Sequence, residues 1–276
     1  MKLIGFLQGN VRYVGALQDD DTVVPIAPID DFYADSSRYL AEAPSGASVP
    51  VAGLTQVPPV PETTRVFCVG LNYLAHAEEA NAQVPDYPTV FGRWASTLVC
   101  DGESIPVPAI EKGLDWEVEL AVIVGETLTD VDGDKAMAGV LGYTVFNDIS
   151  ARDRQFDTTQ WTLGKNPDRS GPIGPVVVTA DEMESPNGKR LTAKVNGELM
   201  QDGNTSDMIF SVSRILSYIS QTSSLRPGDV VATGTPSGVG FTRTPPKLLT
   251  PGDVIEVEIE GIGVLRNPVT DAAARP

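Results

Sequence analysis

The sequence predicts an α+β protein in which β-strands dominate. Three features carry this expectation: short apolar runs punctuated by Gly and Pro from residue 64 onward, clean two-residue alternation over residues 254–260, and few helical patterns. In chain order, residues 13–17 and 22–26 read as short strands around the acidic turn Asp19-Asp20-Asp21. The stretch Val57-Pro58-Pro59-Val60-Pro61 disfavours helix and stiffens the chain. It suggests a boundary between a small N-terminal accessory domain, residues 1–60, and a main domain, residues 61–276. Residues 65–70 and 142–146 look like buried strands, and residues 115–125 like a strand entering a core. In residues 254–260, Ile255, Val257 and Ile259 share one face and Glu256, Glu258 and Glu260 the other, the pattern of a half-solvated strand. The best helical spacing lies in residues 206–220, through Met208, Val212, Ile215, Leu216 and Ile219.

At 276 residues, 41% hydrophobic and 21% charged, the chain can bury a substantial core. A net charge of −17 repels phosphates and anionic lipid, which argues against nucleic acid and membrane partners. No segment approaches the ~18 apolar residues of a membrane span. The run Met1-Lys2-Leu3-Ile4-Gly5-Phe6-Leu7-Gln8 lacks a long apolar signal region, so a cytoplasmic location is expected. Cys68 and Cys100 read as buried free thiols. His76 is the single histidine, which excludes a two- or three-histidine zinc site within one chain. Walker A, Gly-x-Ser-x-Gly and HExxH motifs are absent.

Glu117 and Glu119 stand two apart in a strand pattern, so their side chains share a face with Cβ atoms roughly 6–7 Å apart. Such a pair is either a solvated edge or half of a hard-metal site, since Mg²⁺ and Mn²⁺ prefer carboxylate oxygens. Asp148 follows an apolar strand and reads as an Asx turn, a helix N-cap or a third oxygen ligand. Three such ligands leave octahedral positions for water or substrate. His76 and Glu79 fall on one face of a short helical pattern, as an exposed pair or as a base with its orienting carboxylate. Glu78 has only the solvated reading. Lys165, after Trp161 and Gly164, is either a surface lysine or a contact for an anionic substrate. The glycine-rich residues 234–240 follow an apolar run, where Thr235 could donate to a carboxylate or simply belong to a tight turn.

Taken in order, these segments resemble the fumarylacetoacetate hydrolase family, on its acylpyruvase and 2-hydroxyhepta-2,4-diene-1,7-dioate isomerase-like branch. The resemblance runs through Gly70-Leu71-Asn72-Tyr73 with His76 and Glu79, residues 115–125, Asn147-Asp148 with Arg152 and Gln155, residues 161–165, Gly174-Pro175, residues 195–197, 225–229 and 234–240. It implies a mixed β-sandwich roll, usually a homodimer, holding one Mg²⁺ or Mn²⁺ on Glu117, Glu119 and Asp148. It implies a lid dyad of His76 and Glu79, and contacts to a small oxo acid from Lys165, Arg152, Gln155 and Thr235. The implied reaction is metal-dependent hydrolysis of the C–C bond of a 2,4-dioxo acid, of acylpyruvate or fumarylpyruvate type, through a metal-stabilised enolate. The alternative on the same site is decarboxylation of oxaloacetate, or decarboxylation and isomerisation of an oxo-dienedioate. Two segments depart from the family pattern: Arg93 stands where many relatives have lysine, and residues 166–172 replace a small-residue and aromatic stretch. Both are expected to touch the distal end of the substrate.

Overall fold

The computed structural model describes residues 1–272 apart from residues 20, 43 and 184. Asp20, in the expected acidic turn, therefore lies outside the described residues. The architecture is the β-dominated α+β roll expected, built from a 12-stranded and a 5-stranded sheet. The middle of the larger sheet runs Gly171–Thr179, Val140–Asn147, Val118–Val124, Val230–Ala232 and Val66–Gly70, with only the last of these contacts parallel. Lys2–Gln8 pairs with Gly171–Thr179 on one side and Val11–Asp19 on the other, so the N-terminal strands extend the same sheet. The extended connector joins in as well, with Val57 opposite Gly5. The smaller sheet centres on Val254–Ile259, flanked by Arg190–Val195 and Gly263–Asp271.

Val118–Val124 is buried at every position because its two faces meet different layers. Leu120, Val122 and Val124 join Leu191, Val257 and Leu265 of the smaller sheet. Ala121 and Ile123 join Leu3, Val14, Phe32 and Ile173. A continuous apolar run is what burial on both sides requires. The expected strand is shorter at its start, however. Residues 115–117 precede the ladder, and the Glu117 N–H donates 3.1 Å to Asn147 Oδ1.

The helix expected over residues 206–220 begins only at Val212 and ends at Ser220. Tertiary pairing overrides the periodicity of its first half. Met208 bridges Tyr73, the Ile209 N–H donates to Asn72 O at 2.7 Å, and the Phe210 N–H donates to Asn72 Oδ1 at 2.7 Å. Ser211 then caps the helix by accepting the Arg214 N–H at 3.3 Å. Cys68 and Cys100 are buried and free.

Candidate active site

The site forms where the central strands of the larger sheet end. Glu117, Glu119 and Asp148 are all buried, and one carboxylate oxygen from each lies within 4.8 Å of the others. Glu119 is on the ladder, Glu117 just before it, and Asp148 just past Val140–Asn147, which is hydrogen-bonded beside it. The solvated-edge reading of the glutamate pair fails because this strand is internal. The Asx-turn and cap readings of Asp148 fail because its oxygens face cations: Arg93 Nε at 3.0 Å on Oδ1 and Lys165 Nζ at 2.7 Å on Oδ2.

Lys165 bridges the pair of ligands, since its Nζ also lies 2.7 Å from Glu117 Oε2. Arg152 donates to the other oxygen of Glu117 at 2.6 Å, to Asp115 at 2.8 Å and to Gln155 at 2.7 Å. Burial alone would raise the Glu117 carboxyl, but Lys165, Arg152 and His76 hold it at about 2. Burial likewise opposes the charge on Lys165, and Asp148 and Glu117 overcome it and push its pKa up. Glu119 is the exception. Its Oε2 accepts only the Gly234 N–H, at 2.8 Å, and burial followed by the charges of Asp148 and Glu117 drives its pKa well up.

This imbalance is the test of whether a cation fits. Asp115, Glu117, Glu119 and Asp148 are four buried carboxylates, against the three buried cations Arg93, Arg152 and Lys165. With all seven groups ionised one negative charge would be left over, and the raised pKa marks Glu119 as the carboxyl that holds a proton instead. An all-oxygen donor set with a net negative charge suits a hard divalent ion. With such an ion the cluster carries one net positive charge, complementary to a carboxylate substrate.

A cavity of about 300 Å³ opens onto Glu117 and Glu119 and is also lined by His76, Arg152, Gln155, Lys165 and Thr235. Every candidate expected from the sequence, apart from Asp148 behind it and Glu79 at the end of the helix Leu74–Glu79, thus reaches one space. Its remaining wall is apolar, with aromatic rings from Phe91, Phe156, Trp161 and Phe241 beside the aliphatic Val69 and Leu71. His76 sits on the short helix Leu74–Glu79, buried, with Nδ1 3.5 Å from Glu79 Oε2. That is an ion-pair separation rather than a formed hydrogen bond, and such contacts tighten in substrate complexes. Burial would raise the Glu79 carboxyl, and His76 and the Gly238 N–H together lower it. Thr235 Oγ1 accepts from Gln201 at 2.8 Å, which leaves its proton directed elsewhere.

Three residues of the site escaped the sequence reading. Asp115 accepts from Arg152, from the Gly240 N–H at 2.6 Å and from the Phe241 N–H at 3.1 Å, and so sets the position of Arg152. Its place two residues before Glu117 on the same alternation was the available signal. Asn72, just before the helix Leu74–Glu79, donates to Thr233 O at 2.7 Å, at the entry to the glycine-rich segment. Gln201 accepts the Val118 N–H at 3.0 Å, bringing the smaller sheet to the ligand strand. One expectation needs correction: Arg93 and residues 166–172 are absent from the cavity wall, and Arg93 lies behind Asp148 with Ser170 against it.

The glycine-rich segment is more than a turn. Its N–H groups at 234, 238 and 240 donate to Glu119, Glu79 and Asp115 respectively. Gly234 has φ +98° and a Cβ there would lie 2.8 Å from that of Asn72, while at Gly240 a Cβ would lie 1.9 Å from Lys247 O. Only glycine permits this approach at either position.

Residues 65–270 match the family described as fumarylacetoacetate (FAA) hydrolase, C-terminal. The chain belongs to the fumarylacetoacetate hydrolase family. Among the family's members, the mitochondrial oxaloacetate tautomerase Fahd2a of Rattus norvegicus is 41% identical over 222 residues, 80% of this chain and 71% of the rat protein. Among solved family structures, a Mycobacterium smegmatis protein designated HpcE is 35% identical with a TM-score of 0.90, covering 99% of this chain and all of that one (100%). The 2-hydroxyhepta-2,4-diene-1,7-dioate isomerase of Mycobacterium marinum is 31% identical with a TM-score of 0.80, again over 99% and 100%. The family places this chain among enzymes of small molecules. No helix of the described residues is long and apolar enough to cross a membrane.

Proposed function

We propose that this chain is an Mg²⁺- or Mn²⁺-dependent enzyme that moves a proton on a 2-oxo acid, as an oxaloacetate-type keto–enol tautomerase or an oxo-dienedioate isomerase. The observation that carries it is the carboxyl of Glu119, which no buried cation meets, beside Glu117 and Asp148, at a cavity that His76 lines with Glu79 3.5 Å from its Nδ1. The names of the relatives favour tautomerisation and isomerisation over C–C hydrolysis, so the reading moves towards enolate chemistry without cleavage. Glu117, Glu119 and Asp148 would hold a divalent ion, which would supply Lewis-acid stabilisation of charge developing on the 2-oxo oxygen.

The chain's own residues do the rest. His76, oriented by Glu79, takes the proton from C3. The C3–H electron pair forms the C2=C3 double bond, and the C2=O π pair moves onto the 2-oxo oxygen. The proton returns to that oxygen in the tautomerase or to a distal carbon in the isomerase, with the reverse sequence for ketonisation. Lys165, kept protonated by Glu117 and Asp148, donates to the anionic end of the substrate. Gln155 and Thr235 hold the acid in register, and Arg152 keeps the Glu117 carboxylate aimed into the cavity. Docking of the helix Leu74–Glu79 excludes water, which suits proton transfer and disfavours hydrolysis. The active unit is a homodimer, supported by the exposed apolar side chains Trp94, Ile110 and Leu163, at 52%, 63% and 64% accessibility.

The test follows decay of enol-oxaloacetate absorbance with Mg²⁺, with chelator, and with Glu119→Gln. The expected outcome is metal-dependent tautomerisation, lost in the variant, with no release of CO2. Release of pyruvate from acylpyruvates faster than any tautomerisation would overturn the proposal in favour of C–C hydrolysis.

A further inference from the structure

We infer that Arg93 is a positioning residue for the candidate metal ligand Asp148, held by a brace joining residues 92–97 to residues 166–170; this rests on the metal-site reading above. Arg93 is 3% exposed and lies outside the cavity, so it meets Asp148 from behind. Its Nε and Nη2 both donate to Oδ1, at 3.0 and 2.5 Å. Oδ2 is left on the side of Glu117, where Lys165 joins the two carboxylates. A carboxylate with one oxygen fixed twice cannot turn about its own axis without breaking both bonds. Arg93 therefore determines which oxygen of Asp148 faces a cation.

The guanidinium is itself fixed on its other edges. Nη2 also donates to Ile149 O at 2.9 Å, and Nη1 donates to Ser170 Oγ at 2.7 Å. The Ser170 hydroxyl in turn donates to Pro167 O at 2.6 Å. Asn166 closes the brace by accepting the Trp94 N–H at 2.6 Å and donating to Gly92 O at 3.3 Å. The two segments that depart from the family pattern are thus one physical unit. A lysine ammonium could balance the charge of Asp148, but it lacks the planar fork that reaches Asp148, Ile149 and Ser170 together. Charge alone would not need Ser170 or Asn166. The brace points to orientation.

The experiment titrates Mn²⁺ calorimetrically into the full chain, freed of metal by chelator, as wild type, Arg93→Lys and Ser170→Ala. Each protein's melting temperature is measured in chelator to report folding separately. Outer partners of metal ligands commonly contribute about 10- to 100-fold in affinity, and that loss is expected for Arg93→Lys. Ser170→Ala, which keeps the arginine and removes one of its anchors, should lose roughly fivefold. Folded variants that bind Mn²⁺ as tightly as wild type overturn the inference while leaving the metal site standing. Should Arg93→Lys fail to fold, Ser170→Ala decides: unchanged affinity overturns, weakened affinity supports. A wild type that binds no Mn²⁺ overturns both this inference and the function it rests on.

Discussion

Glu117 and Glu119 stand two residues apart at the start of Val118–Val124, as Glu256 and Glu258 do within Val254–Ile259. The spacing is the same and so is the local pattern of apolar neighbours. Glu117 and Glu119 are 5% and 2% exposed, packed against Asp148 and Lys165. Glu258 is exposed and Glu256 half-buried, where it meets only the exposed Arg266, at 3.2 Å. The difference is in what covers the second face. Val118–Val124 lies between two apolar layers, whereas Val254–Ile259 packs on one side and leaves the other to water. Alternation assigns side chains to faces, and only the layering of the fold decides whether a face is wet.

The contrast is broken most severely at the metal side. Glu117→Ala or Glu119→Ala should lower turnover by about a thousandfold or more, as loss of Lewis-acid stabilisation worth several kcal/mol implies. Glu258→Ala should leave turnover unchanged and stability within about 0.5 kcal/mol. Equal effects at the two strands, read by steady-state kinetics and thermal melts, would erase the distinction.

Asp115 gives the next largest effect. Asp115→Ala leaves Arg152 with one carboxylate fewer in a buried site and should cost about 3–5 kcal/mol of stability, measured by urea unfolding. The matching change in the wet strand, Glu256→Ala beside Arg266, should cost less than about 1 kcal/mol by double-mutant cycle.

Proton linkage sharpens the comparison within the buried pair itself. Glu119 has its pKa raised in the metal-free fold, so the folded chain keeps a proton that the unfolded chain has lost. Its contribution to stability is greatest below the ordinary glutamate range and is lost as pH rises towards the folded value. Metal loading must expel that proton, so Mn²⁺ affinity should rise with pH and calorimetry should record proton release to buffer. Glu117 runs the other way. Held at about 2 against an ordinary 4.5, its stabilising contribution is complete above 4.5 and fades as pH falls towards 2. Metal affinity independent of pH would show that Glu119 carries no such proton.

Much of the candidate site was legible because its candidate residues are local in the chain. Glu117, Glu119, His76 and Glu79 follow from spacing within single elements, and Asp148 from the end of an apolar strand. What was not legible comes from distant partners. Asp115 acquires its role from Arg152, 37 residues away, and from Gly240, 125 residues away. Arg93 could be seen to be unusual, but not that it reaches Asp148 rather than substrate, because that depends on Ser170 lying beside it. The helix starting at Val212 rather than near 206 has the same origin, since Asn72 claims the backbone of residues 209 and 210. Local pattern proposes a conformation, and long-range hydrogen bonds choose among the proposals.

The three amides of residues 234, 238 and 240 set a limit on length rather than on composition. Each is met by a carboxylate from a different part of the chain: a candidate ligand, the helix Leu74–Glu79, and the partner of Arg152. Inserting or deleting one residue between 234 and 240 would displace the later amides by up to about 3.3 Å, more than a hydrogen bond can absorb. The helix Leu74–Glu79 and the arginine would then slip together relative to Glu119. Whatever Thr235 adds to the cavity, it is the number of residues between these glycines that the three amides fix.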